Sequence, residues 1–249
     1  FYLWTLPWFW LFFMNKTEGE CPMIHPLPFV FGQSKTMTSL DYSIPDDKTI
    51  IGLTGNIATG KSAVMRLAAG RGALTIDADH VVHGILAGDT AVQNQIAAAF
   101  GTHLFDTNGQ IIRPALGQIV FNDPQALVQL ELIVHPAVHQ HVLAQIRTCP
   151  EDVIMIEAIK LLEGKLHTIC AQVWVTTCTR ARQLERLQIC RGLDAATAVT
   201  RIDAQASQAA KIARADVVID TNGLMQDTQA QFEKAWRWVN KRNAELHGG

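Results

Sequence analysis

From Lys48 onward, short and nearly continuous apolar runs alternate with longer stretches in which apolar residues recur every three or four positions. Five of the short runs are rich in Val and Ile: TIIGLT (49–54), ALTIDA (73–78), DVIMIEAI (152–159), AQVWVTT (171–177) and ADVVIDT (215–221). Runs of this kind predict strands buried on both faces rather than half-exposed ones. Strands separated by helical stretches predict βαβ units around a parallel sheet. Between the second and third runs lie over seventy residues with helical periodicity, among them AVQNQIAAAF and LVQLELIVHPAVHQHVLAQI. A simple crossover needs a dozen or so residues, so residues 80–150 are expected to form a helical insertion. Open α/β sheets place their ligands beyond the C-terminal ends of the strands. An insertion there is the natural place for a second substrate.

The chain before Lys48 has a different character. FYLWTLPWFWLFF (1–13) is apolar and uncharged, yet shorter than the ~20 residues a membrane-spanning helix needs. It also lacks the basic start and small-residue cleavage site of a secretory signal. Met14, Met23 and Met37 are candidate starts, so residues 1–13 read either as an artefact of the assigned start or as a weak interfacial anchor. Residues 14–47, rich in Pro, Ser, Lys and Asp, read as a flexible leader. Nothing in 1–47 argues function, and residues 48–249 are taken as one domain.

Composition narrows the function classes. A formal net charge of -2 gives no general reason to expect nucleic acid or a membrane as partner. Five scattered cysteines without a C-x-x-C pair predict a reduced, cytoplasmic protein without a Cys-based zinc site. Its partners are then small molecules, and it is expected to be a monomer or a weak oligomer.

The chemistry starts at Gly55-Asn56-Ile57-Ala58-Thr59-Gly60-Lys61-Ser62, a full match to G-x-x-x-x-G-K-[ST] lying between a strand and a helix. Backbone N–H groups and the helix N-terminus would cradle phosphates. Lys61 would reach the β- and γ-phosphates and the Ser62 hydroxyl would ligate Mg²⁺. The loop alone leaves the receiver of the phosphate open among water, a protein and a small-molecule alcohol. An N-K-x-D guanine motif, an L-S-G-G-Q signature and a strand ending in D-E are all absent. The remaining candidate is the end of the second strand, expected to neighbour the loop, where Asp77 and Asp79 stand two apart. A carboxylate there could take the proton of an attacking alcohol, while one of the two aspartates could simply cap the following helix. His83, one turn after Asp79, would share its face.

Taken together, the loop, DAD with His83, GQIIRPALGQIVF, LIVHP, LLE, an arginine-rich helix and ADVVIDTNG resemble dephospho-CoA kinases in motif order over residues 50–239. The resemblance implies a three-layer P-loop fold: a five-stranded parallel sheet, a helical acceptor-binding insertion and a helical lid at about 179–213. It implies transfer of the γ-phosphate of ATP to the ribose 3′-hydroxyl of dephospho-CoA, with Mg²⁺. By the same resemblance Asp79 is the general base, with Asp77 supporting it or the water shell of the metal, and His83 and Arg113 lie with the acceptor, Arg113 on its phosphate. His135 shapes the acceptor region or is a packed structural histidine, and Glu163 orders the acceptor side or starts a helix. Of Arg180, Arg182, Arg186 and Arg191, Arg186 is the choice for stabilising the transferring phosphoryl group. Asn222 and Gly223 would lie near the adenine, with Gln205 and Lys211 at a similar level.

This chain departs from the pattern in three places. Asn56 and Ala58 stand where the family usually has glycine, and alanine tolerates a left-handed backbone poorly. Either Ala58 keeps a negative φ or the loop is remodelled. Cys190 stands where a second lid arginine is expected, with Arg191 one step later, a rotation of about 100° on a helix. Glu157 and Lys160 replace the usual proline and apolar residues after the third strand. A nucleoside or nucleotide kinase, or a nucleotide-binding switch without catalysis, remain the competing readings.

Overall fold

The structure, a computed structural model, describes residues 41–248. The five expected runs form five strands: β1 (Thr49–Thr54), β2 (Leu74–Asp77), β3 (Val153–Glu157), β4 (Gln172–Thr177) and β5 (Val217–Asp220). All pair in parallel, in the order β2-β3-β1-β4-β5. The helices are α1 (Lys61–Ala69), α2 (Ala78–Gly88), α3 (Thr90–Phe100), α4 (Arg113–Asn122), α5 (Pro124–Thr148), α6 (Arg180–Arg191), α7 (Ala195–Asp203), α8 (Gln208–Ile212) and α9 (Met225–His247). The expected α/β class with a five-stranded parallel sheet is what forms. One expectation changes: β2 is not the neighbour of the loop-bearing strand, because β3 lies between β2 and β1.

The chain divides into two compact units, one of residues 42–81 with 139–249, the other containing 82–138. In the first unit β1 is central and all six of its residues are buried. Side chains alternate across a strand. Ile51 and Leu53 accordingly join Val64 and Met65 of α1 and Phe232 and Trp236 of α9 in one core cluster. The opposite face is packed too: a Cβ on Gly52 would lie 2.6 Å from Leu161 and 2.8 Å from Cys170. Trp174 of β4 meets Phe232 edge-on at 5.8 Å, and Phe232 stacks on Trp236 at 5.0 Å. Such pairs add about 1 kcal/mol each beyond the area they bury. The end of the leader is tied down as well: Tyr42 Oη lies 2.5 Å from His139 Nδ1, and Arg147 donates to Ser43 O at 2.9 Å. Residues 1–40 of the expected leader fall outside the described residues.

The second unit is helical. Ile96, Leu104, Leu116, Val120 and Leu130 form its buried side, each at most 1% exposed. Asp89 starts α3 by accepting the N–H groups of Ala91 and Val92 at 2.9 and 3.1 Å, the favoured N-cap arrangement. Asp106 turns the chain between α3 and α4 by accepting from Asn108 and Gln110 N–H, both at 2.8 Å.

Candidate active site

The loop Gly55–Ser62 leaves β1 and enters α1 at Gly60, which has φ 89° and is uncapped by any side chain. A helix start leaves its first amides without intrahelical acceptors; here Ala63 N–H turns back to Gly60 O at 3.0 Å, so the amides of Lys61 and Ser62 are the ones that the positive end of α1 offers to an anion. Gly55 is required by space as well as by φ, and Gly60 by φ with a tight neighbour. A Cβ on Gly55 would lie 2.5 Å from Thr176 Oγ1, and one on Gly60 would lie 3.0 Å from Thr221. Lys61 is folded back, donating to Gly55 O at 3.1 Å and Asn56 O at 3.4 Å, with Glu157 Oε1 3.7 Å away. Thr59 fastens the loop to the sheet through Thr176 Oγ1 at 2.8 Å. Ser62 follows Lys61 in the first turn and is exposed.

The two non-glycine positions resolve differently from each other. Ala58 has φ 59° and is the sole non-glycine residue with positive φ among the described residues. The loop therefore keeps its left-handed turn, at a cost of about 1–2 kcal/mol for alanine. Its carbonyl is held in place by Arg186 Nη1 at 2.9 Å, and that of Ile57 by Gln183 Nε2 at 2.8 Å. Asn56 is buried and used as a side chain: its Nδ2 donates to Ala206 O at 3.0 Å. Its backbone N–H donates to Gln208 Oε1 at 3.0 Å, and that of Ile57 to Gln205 Oε1 at 2.6 Å. Gln208 also donates to Thr176 O at 2.8 Å, so α8 ties the loop to β4.

The second feature is assembled from separate segments. Asp77, at the end of β2, pairs in register with Glu157, at the end of β3, and Glu157 pairs with Leu53 of β1. Of the tasks foreseen for the two aspartates, the capping falls to Asp77. Asp77 Oδ1 accepts the His80 N–H at 2.9 Å and so starts α2. Asp79, in the first turn of α2, accepts the Ile159 N–H and faces Lys61. Burial, with Asp77 and Glu157 adding negative charge, raises its pKa to about 7, against the opposing pull of Lys61 and that N–H. Lys211 of α8 is buried and donates to Ile159 O at 2.7 Å. Burial lowers its pKa to about 8. A carboxylate that titrates near neutrality beside a phosphate loop is poised for proton transfer.

The arginines of α6 separate into two groups. Arg180 pairs with Asp203, Nη2 to Oδ2 at 3.0 Å, and Arg191 is exposed. Arg186 donates to Ala58 O and to Thr221 Oγ1 and O, at 2.9, 2.9 and 2.5 Å. Arg182 donates to Asn222 O at 2.8 Å. Asn222 in turn accepts the Thr179 N–H at 2.7 Å, and Thr179, Arg182, Glu185 and Asn222 line an open groove. Gly223 gives Asp227 room to cap α9: a Cβ there would lie 2.5 Å from Asp227 Oδ2.

In the helical unit the structure brings His83 and Arg113 together. Arg113 Nη1 donates to His83 Nδ1, and Nη2 to His83 O at 3.3 Å. His135 is exposed on α5, next to Pro136. Glu163 is exposed in the turn after β3, where its charge acts on Lys211. Sequence reasoning did not name Gln183, Gln208 or Thr221 as site residues, and noted Glu157 only as a departure. For Glu157 the signal was present: a lone acid closing the apolar run VIMI.

The dephospho-CoA kinase (CoaE) family model matches residues 49–227. The chain is 36% identical over 200 residues to a dephospho-CoA kinase of Moorella thermoacetica, covering 79% of this chain and 94% of that one. It is 42% identical over 187 residues to one of Parasynechococcus marenigrum, covering 74% and 93%. The crystal structure of TT1252 from Thermus thermophilus is similar with a TM-score of 0.67 at 25% identity, covering 78% of this chain and 97% of that one. A dephospho-CoA kinase from Campylobacter jejuni shares the fold at a TM-score of 0.53 and 24% identity, covering 78% and 98%.

Proposed function

We propose, from the premise that this chain belongs to the dephospho-CoA kinase family, that Asp79 is the base of its phosphoryl transfer. The chain is an ATP-dependent kinase that moves the γ-phosphate of ATP to the 3′-hydroxyl of dephospho-CoA, giving coenzyme A and ADP. The observation that carries the reading is Asp79 itself, a carboxylate held near neutral pKa and facing the phosphate-loop lysine. Its ionised form accepts the proton of the hydroxyl as that oxygen attacks the γ-phosphorus.

The other residues take roles that follow from their positions. Lys61 exchanges its two loop carbonyls for phosphate oxygens, which carry more negative charge than an amide. The first-turn amides of α1 hold the phosphates, and Arg186, beside Ala58, adds positive charge where the transferring group collects negative charge. The groove of Thr179, Arg182 and Asn222 takes the adenine end of ATP. His83 and Arg113 serve the acceptor, the guanidinium on a phosphate. His135 and Glu163 stay assigned to the acceptor side.

The donor set suits Mg²⁺. One hydroxyl, Ser62, stands at a phosphate-binding helix end, and Mg²⁺ takes few protein ligands besides phosphate and water oxygens. Among the described residues no three His, Cys, Asp or Glu side chains are grouped to hold a metal. When bound, Mg²⁺ neutralises charge on the β- and γ-phosphates. No helix among the described residues is long and apolar enough to cross a membrane, and the cytoplasm is the setting we assign.

The test is coupled ADP release with Mg²⁺-ATP and a panel of acceptors. Release is expected to depend on dephospho-CoA. Stimulation by nucleoside monophosphates alone would move the chain to the nucleotide kinases, and slow release independent of any acceptor would make it a switch.

A further inference from the structure

The least explained group in the sheet unit is Lys211. It is 5% exposed, and an ammonium is costly to bury. A methionine would fill the same space without that cost. The lysine donates to Ile159 O at 2.7 Å, an acceptor it shares with Thr54 Oγ1 at 3.1 Å. Ile159 is also the residue whose N–H is donated to Asp79. One side of Ile159 is thus gripped by α8 and β1, and the other presents its amide to the base. The same short helix holds the phosphate loop through Gln208, three residues before Lys211.

We propose that Lys211 is a positioning residue for the transfer: it fixes the turn after β3 so that the Ile159 amide meets Asp79, and it keeps a positive charge behind that carboxylate. This rests on Asp79 being the base. The charged groups that face Lys211 are Glu163 from the turn after β3, Lys61 from α1 and Asp79 from α2. Those that face Asp79 are Asp77, Glu157, Lys61 and, reciprocally, Lys211. Two carboxylates therefore bear on Asp79 against two lysines, and removing either lysine leaves negative charge in excess. Arg214, just beyond α8, donates to Leu162 O at 2.9 Å and braces the same turn.

The consequence has a sign. Asp79 works as the carboxylate. Loss of a nearby cation and loosening of an amide donor both disfavour that form, so its pKa rises. Lys211→Met is expected to lower kcat about tenfold or more, the scale of outer support around a reacting group. KM for ATP should stay within about twofold, and the acidic limb of the kcat–pH profile should move to higher pH. Lys211→Gln keeps a donor for Ile159 O but no charge. It should recover part of kcat while the limb stays displaced.

Turnover of the wild-type level in Lys211→Met overturns the proposal. So does a loss of kcat with an unmoved acidic limb, which is what a purely packing role would give. If thermal melting shows that Lys211→Met does not fold, Lys211→Gln is read on the same limb with the same two outcomes. A wild-type enzyme without dephospho-CoA-dependent ADP release would instead be a failure of the functional reading.

Discussion

The phosphate loop and the carboxylate pocket, which we propose serve the same transfer, are built in opposite ways. The loop is one contiguous stretch, Gly55–Ser62, whose working groups are backbone amides. The pocket draws Asp79 from α2, Glu157 from β3, Lys61 from α1 and Lys211 from α8. Amides do not titrate, so the loop accepts unusual side chains as long as its backbone path survives. Asn56 and Ala58 are such a case, held by Gln208, Ala206 and Arg186. The pocket works through charges that shift one another, so a single altered charge there changes how Asp79 titrates. The loop should therefore forgive, and the pocket should not.

The largest break in that comparison is Asp79→Asn. It keeps shape and removes the base, so kcat should fall at least ~10²-fold, the low end of general-base effects. Nucleotide binding should remain, since the phosphates are held by the loop. The variant should also melt no lower than wild type, because a buried carboxylate among two others costs stability when ionised. Full activity would remove Asp79 as the base.

The same contrast explains what could be read in the chain. A loop motif is legible because its geometry is local: eight consecutive letters specify the turn and the helix start. The strands were legible to within a few residues, since each is an apolar run. The strand order was not, and it decides the pocket. Because β3 enters between β1 and β2, Glu157 comes opposite Asp77, a register that no stretch of sequence displays. Likewise nothing local distinguishes the four arginines of α6: Arg186 was chosen by resemblance, and its contacts with Thr221 and Ala58 are visible only in the fold. Gln208 has no signature at all, being an ordinary polar residue until α8 lies beside the loop, and Gln205, named by resemblance near the adenine, instead accepts the Ile57 N–H.

An intermediate effect is expected from Glu157→Gln. Asp79 has its pKa raised to about 7 by burial, then by Asp77 and Glu157. Its active form exists above that value, and removing one carboxylate lowers it. The acidic limb of the kcat–pH profile should then move to lower pH, opposite to the shift for Lys211→Met. The ratio of kcat at pH 6 to kcat at pH 8 is the quantity to compare, because Glu157 also lies near Lys61 and absolute rates will change. An unmoved limb would mean that another group governs it.

The smallest effect tests the forgiving region. Ala58 holds φ 59°, a conformation that costs alanine about 1–2 kcal/mol and glycine almost nothing. Ala58→Gly removes that cost but gives the unfolded chain more freedom, worth about 0.4–1 kcal/mol in the other direction. The net is a gain of up to about 1.6 kcal/mol, or a Tm rise of roughly 3–6 °C at most for a chain of this size. KM for ATP should stay within about twofold, because the Arg186 and Gln183 contacts go to backbone carbonyls that the substitution leaves in place. A fall in Tm would mean that alanine is not strained at this position. A large rise in KM would mean that the methyl group itself, rather than the backbone path, shapes the phosphate site, and the loop would then be as exacting as the pocket.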